Sequence, residues 1–253
     1  MRDELRALRW STLAYFVVLE ALLVFAIVFW PRFEEKAELF RGLIPLQAID
    51  AIFDRIGAEG VSAYVLVQHF FKGCNLVGAV VAVFFAMGAV AGEAQRGTLE
   101  IWLARPLSRR RILSERFAAG ALGLTLPVFA TTATIPWLMG FVHEELDLAP
   151  LLLGAVHQSA FLLAIYAVTF AWSCVSSRPL VIGFCMLGLA IFEFALYVVE
   201  HLTHASALRL SDLEVYAHIY ARHALDPWIF VPLVGWTAGC FVLAQHLFAR
   251  RVP

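Results

Sequence analysis

Apolar residues gather along this chain in six long blocks, roughly 12–30, 70–91, 112–141, 151–175, 180–199 and 228–248. A helix that crosses the hydrocarbon core needs about 20 predominantly apolar residues, because lipid offers no partners to backbone N–H and C=O groups and a helix satisfies its own. Each block has that length. The pattern therefore predicts an all-α polytopic membrane protein whose six transmembrane helices form a single domain over 1–253. The third block contains Pro127 and Pro136, which predicts a kink or a break there. The first holds Glu20 and is followed by no small-residue cleavage site, so it reads as a retained span and not a removable signal.

Shorter periodic segments lie between the blocks. Leu5 and Leu8 share a helical face among Arg2, Arg6 and Arg9, the pattern of a short N-terminal helix in the headgroup layer. Ile49, Ile52, Phe53 and Ile56 recur at helical spacing. Ser211-Asp212-Leu213-Glu214 has the form of a capping box with Ser211 as cap, and Leu213, Tyr216 and Tyr220 follow on one face.

Composition agrees with the pattern: 61% of the 253 residues are hydrophobic and 15% charged, against about half and a quarter in soluble domains. A formal net charge of −1 gives no basic field for gripping nucleic acid. Cys74, Cys174, Cys185 and Cys240 sit in apolar stretches with neither a CxxC pair nor zinc-type spacing, so they read as small hydrophobes and no metal site is expected. Twelve of the nineteen basic residues fall on the side that holds both termini, which predicts that the termini are cytoplasmic.

Polar and ionisable residues inside spans are functional candidates by default. Glu20, Lys72, Asn75 and Glu193 qualify, either as part of a polar path or, for the glutamates, as helix fasteners and, for Lys72, as a snorkelling residue. A rise of about 1.5 Å per residue puts Lys72 and Glu193 close enough in depth to pair, and Glu20 too far from Lys72 to do so. His201 and His204, three apart, have a spacing that on a helix would suit a metal or haem, although no third ligand is visible. His157 and Ser159 are two apart, which points them to different helix faces and argues against a local catalytic pair.

The most informative segment is Gly92 to Arg111, between the second and third blocks. Gly97 breaks the chain, Thr98 is suited to cap a short helix, Pro106 stops it, and Ser108 is placed to cap the third span. Leu99, Trp102 and Leu103 stand on that helix as apolar anchors beside Glu100 and Arg105. By physics alone the segment is equally a basic loop that fixes topology.

The run Gly92-Glu93, then Arg-Gly-Thr-Leu-Glu, then Arg-Pro-Leu-Ser-Arg resembles the signature of the permease subunits of type-2 ATP-binding-cassette (ABC) transporters. Glu93, Gly97, Thr98, Leu99, Glu100, Pro106, Ser108 and Arg109 match it. The resemblance implies a coupling helix at about 97–105 that docks on a separate cytoplasmic ABC ATPase, itself a dimer. That partner would bind ATP and Mg, and this chain would carry no cofactor. The sequence agrees in lacking a GxxxxGK[ST] loop. Trp102, Leu103 and Arg105 join the eight matching residues as coupling candidates. The family further implies an exporter of the bacterial inner membrane, a second permease subunit, identical or paralogous, and room for an extracytoplasmic partner. The rival readings are a polytopic membrane enzyme using buried acids or histidines, a non-transporting scaffold, and a permease serving haem or copper-enzyme maturation.

Overall fold

The computed structural model describes residues 2–43, 47–104, 107–199 and 201–251. Its α-helices are, in order, α1 (Arg2–Glu35), α2 (Ala37–Leu43), α3 (Gln47–Glu59), α4 (Val61–Val65), α5 (Gly78–Met87), α6 (Ala91–Gln95), α7 (Leu99–Leu103), α8 (Arg109–Met139), α9 (Leu148–Ser173), α10 (Pro179–Val198), α11 (Leu213–Arg222) and α12 (Pro227–Arg250). A π-helical run, Leu66–Val77, joins α4 to α5 in one rod, and short 3-10 turns include Thr203–Ala205 and Ala207–Ser211. Among the described residues there is no strand.

Among the described residues six rods are long and apolar enough to cross a membrane: Leu8–Glu35, Val61–Met87, Arg109–Val142, Leu148–Ser173, Pro179–Val198 and Pro227–Arg250. They are spans one to six of an all-α polytopic membrane protein. An even number of spans returns residue 251 to the face where residue 2 lies, here called the N/C face. Spans two, four and six end at that face, and the opposite one is the far face.

Side chains fix where spans begin. Ser108 accepts a hydrogen bond from Arg111 N (3.3 Å) at the start of α8, Asp147 from Ala149 N (3.0 Å) at α9, and Asp226 from Trp228 N (2.9 Å) at α12. Each satisfies one of the amide donors that a helix leaves unpaired at its first turn. The centre of the bundle is α9, which packs against α5, α8 and α12, while α1 lies along α8. Gly120 lets α8 and α9 approach closely. A Cβ there would stand 2.8 Å from Tyr166 Cζ on α9, and the Tyr166 hydroxyl donates to Phe117 O (3.3 Å) on α8.

Several expectations change. Span two begins at Val61 and not near residue 70. The polar pair Gln68 and His69 masks its first turns in the sequence, yet His69 is buried and bonded by Nε2 to Thr132 Oγ1 (2.9 Å). Thr132 gives its own proton to Val128 O (2.7 Å), so His69 is the donor. Span three runs unbroken past both prolines, so no break occurs there. The N-terminal turns are continuous with span one in a helix of 34 residues, about 51 Å long and longer than the roughly 30 Å hydrocarbon core. Segment 47–59 is helical as its spacing predicts.

The connection between spans five and six does not stay at the far face. Ser211 contacts Asn75 and Gln158, and Gln158 lies ten residues into span four, about 15 Å below its start. The chain thus dips into the bundle along Thr203–Ser211 and climbs back as α11, where Tyr220 Oη accepts from Asp147 N (3.3 Å) beside the start of α9. Asp212, and not Ser211, caps α11, accepting from Val215 N (3.2 Å). Ser211 is drawn off by its buried partners.

Candidate functional site

Three arginines organise the N/C face. A helix that ends there exposes its last carbonyls and the negative end of its dipole, and a cation is the natural partner. Arg116, on α8, donates from Nη1 to Ala89 O just past the end of span two. Arg109, at the first residue of α8, donates to Phe248 O, Ala249 O and Arg251 O at 3.4, 3.2 and 2.8 Å, closing span six. Arg251 in turn donates to Ser173 O and Cys174 O at 3.3 and 2.8 Å, closing span four.

The segment 92–108 hangs on this framework. Gly97 has φ +70° and follows α6. Thr98 N donates to Glu93 O (3.0 Å) and Gly97 N to Ala94 O (3.2 Å), the paired bonds of a Schellman turn with the left-handed residue at Gly97. The Thr98 hydroxyl is directed back to Glu93, to its carbonyl (3.3 Å) and its carboxylate Oε2, and among the described hydrogen bonds it makes none to α7. Glu93 Oε1 faces Arg116 Nη2 (3.6 Å) and Arg96 Nη1 (3.5 Å). The side chains of Arg116 and Glu93 are only 10% and 17% exposed, against 72% for Arg96. The Arg116 contact is therefore the better shielded of the two.

Leu99 is buried in the main core, so it fastens α7 to the membrane domain and does not offer itself to a partner. Glu100 is exposed on the same helix, and Ile101, which sequence reasoning passed over, is 65% exposed. Trp102 and Leu103 lie in α7 by their backbone. Their side chains, and Arg105 and Pro106 altogether, lie outside the described residues. Of the described side chains of this short helix, Leu99 is turned inward and Glu100 and Ile101 are turned out.

The intramembrane candidates separate. Thr134 donates to Glu20 Oε2 (3.1 Å), binding span one to span three. Glu193 Oε2 accepts from Ala207 N (2.8 Å) and its carbonyl from Ser206 Oγ (2.9 Å), so it holds the dipping segment. Lys72 is exposed, and among the described residues no ion pair joins it to Glu193, although the depths suit one. Asn75 belongs to a buried network. Gln158 Nε2 donates to Asn75 Oδ1 (2.8 Å), Asn75 Nδ2 to Ser211 O (2.7 Å), Ser211 Oγ to Asn75 Oδ1 (2.9 Å), and the Tyr216 hydroxyl to Gln158 Oε1. His157 Nε2 meets Leu210 O (2.7 Å) and makes no pair with Ser159.

His201 lies in a turn and His204 in a 3-10 turn, so they do not share an α-helical face. Among the described residues no three His, Cys, Asp or Glu side chains converge as metal ligands.

A family model described as "ABC-2 family transporter protein" matches residues 2–251. The chain belongs to the ABC-2 transporter family. A search of curated proteins returns no match. As an ABC-2 protein the chain is a membrane component of a transporter and not itself an enzyme, and the family implies association with an ATPase subunit. What sequence reasoning missed in this ABC-2 chain is the role of its arginines. Arg109, Arg116 and Arg251 were legible as topology markers, and Arg109 also as part of the family signature, but their carbonyl partners lie on other spans. The one available signal was the spacing of Arg109 and Arg116, seven residues apart and hence on one face of α8.

Proposed function

We propose that the chain is the permease subunit of an ATP-driven exporter, with α7 and its flanks docking on a separate cytoplasmic ATPase. The observation that carries this reading is the attachment of α7. Its apolar base, Leu99, is buried, and Glu93 links the turn before it to Arg116 on span three and, through Arg116, to the end of span two. A force on α7 therefore acts on membrane helices directly. ATP binding to the partner can shift the permease between two arrangements only if the partner contacts α7 differently in each.

In this reading the N/C face is cytoplasmic, the membrane is a bacterial inner membrane, and two permease chains flank the path. The asymmetry of basic residues supports the orientation. The thinly covered spans five and six, with Phe184, Ile191, Trp228 and Val242 all exposed, supply apolar surface for a second permease as well as for lipid. ATP and Mg belong to the ATPase; residues Glu93, Gly97, Thr98, Glu100 and Arg109 of this chain position the docking element.

The test is purification of the tagged chain in mild detergent at native expression, with mass spectrometry of what is retained. An ATPase subunit recovered in near one-to-one ratio, lost when Glu100 and Ile101 are both replaced by Ala while the chain still inserts, is the expected result. Reproducible recovery of the chain alone, without ATPase activity, overturns the reading.

A further inference from the structure

A cavity of about 410 Å³ lies within the bundle, walled by α5, α9, α10 and α12 and by the dipping segment. That volume is in the range of sites for small organic ligands. Its wall is almost wholly apolar, Phe161, Met186, Leu233 and Trp236 among it, and among the described residues its one ionisable group is Glu193. Leu189 and Trp236 on its wall are exposed, on α10 and α12, so the cavity is reached from the surface those helices turn to lipid.

The cavity is polarised along the membrane normal. Met186 stands seven residues, about 10 Å, from the start of span five at the N/C face, whereas Glu193 stands five residues, about 8 Å, from its far end. The carboxylate therefore sits toward the far face with the apolar volume below it. Glu193 Oε2 is taken by Ala207 N, and among the described residues Oε1 has no hydrogen-bond partner. An apolar chamber with one half-satisfied carboxylate at its outward end is complementary to a molecule with an apolar body and one cationic, proton-donating head.

We propose that this cavity binds a hydrophobic amine, its ammonium group on Glu193 and its apolar body between α9, α10 and α12. The site stands whether or not its occupant is the transported substrate, because binding is read without ATP and without the ATPase. Loss of the site would leave the docking of α7 untouched, and failure of the docking reading would leave the site untouched.

The test uses the full chain in zwitterionic phosphatidylcholine nanodiscs and a photoreactive hexadecylamine bearing a mid-chain diazirine, with peptide mapping of the adducts. Labelling is expected on residues 186–193 and 232–236, displaced by hexadecylamine and displaced about tenfold less well by hexadecanol, as befits loss of one charge-assisted hydrogen bond. Glu193→Gln keeps an oxygen for Ala207 N and so keeps the dipping segment in place. It should weaken displacement by the amine about tenfold and leave displacement by the alcohol unchanged. Ala190→Trp fills the chamber and should abolish labelling there by the diazirine probe, at unchanged thermal stability. Equal displacement by amine and alcohol, or equal behaviour of wild type and Glu193→Gln, would mean that the cavity holds only lipid chains and would overturn the proposal. Adducts scattered over all exposed spans would overturn it as well.

Discussion

The contact between Glu93 and Arg116 links the turn before α7 to the membrane helices, and its strength can be worked out. At 3.6 Å an effective dielectric near 20 gives about 4–5 kcal/mol of attraction. Desolvating two side chains that are 10% and 17% exposed takes back much of that, and the Thr98 hydroxyl already satisfies part of the carboxylate. A net coupling of about 1–2 kcal/mol is expected. Arg116 also donates to Ala89 O, so Arg116→Met alone reports more than the pair. The double-mutant cycle with Glu93→Gln isolates the shared part, since Gln keeps an oxygen for Thr98. Unfolding in mixed micelles, read by near-UV circular dichroism, supplies the four stabilities. Additivity within about 0.3 kcal/mol would refute the link, and with it the argument that α7 acts on span three through this contact.

Four further outcomes follow from the geometry. Gly97→Ala meets no atom within 4 Å of its new Cβ but must hold φ +70°, so it should cost about 1–2 kcal/mol in the same unfolding assay; a neutral result would mean that the Schellman turn is not needed. Gly120→Ala drives a methyl into the Tyr166 ring and should cost about 1–3 kcal/mol, relieved by a second change of Tyr166→Phe only if the hydroxyl is the obstacle. Asn75→Leu strands Ser211 O and Gln158 Nε2 and should raise hydrogen exchange across 203–222 at least tenfold, whereas unaltered protection would show that the network does not hold the dipping segment. Burial pushes the Asp212 carboxyl up to about 6 against the bond from Val215 N that favours its charged form. Its raised folded value means that the stability it contributes is present below about pH 4 and lost as pH rises through 6, so the stability difference between wild type and Asp212→Asn should move against wild type over that window. A pH-independent difference would exclude the titration.

The sequence was readable where one-dimensional pattern and physics coincide. Apolar block length alone gives six spans, because the bilayer sets a length and helix geometry converts it to a residue count. Ser108 was legible as a cap because capping needs only residue type and position. Span two was misplaced because His69 is polar in the sequence and buried in the fold, its cost met by Thr132 from another span. Ser211 has the look of a cap, and the buried acceptors that take it lie 53 and 136 residues away. Leu99 was legible as an anchor, but whether an apolar residue on a short helix faces its own core or a partner is not written in the spacing. The Gly-Thr-Leu-Glu segment was the most specific signal, and its physical content is the turn: a left-handed glycine, and a threonine whose hydroxyl returns to Glu93.

The arginines at the N/C face carry more than the topology signal expected of them. As a topology signal a residue needs only to be basic and near the membrane, and lysine would do. The three arginines here do more, since each reaches carbonyl oxygens on a span other than its own. A guanidinium can serve several acceptors from one fixed position, as Arg109 does with three, where an ammonium on a flexible stem is a point charge. The order of these bonds is what matters for a transporter. Both Arg109 and Arg116 belong to the first three turns of α8, and they hold the ends of spans six and two. Arg251, at the end of span six, holds the end of span four. Every span that ends at this face is therefore tied, in two steps or fewer, to the start of span three, and the start of span three is tied by Arg116 and Glu93 to the turn that carries α7. In the proposed coupling, a displacement of α7 would reach the helix ends as a set, through these bonds, and not by way of one helix dragging its neighbours by side-chain packing. That continuity is why replacing Arg109 or Arg251 by lysine should weaken the N/C face without altering the insertion of any span.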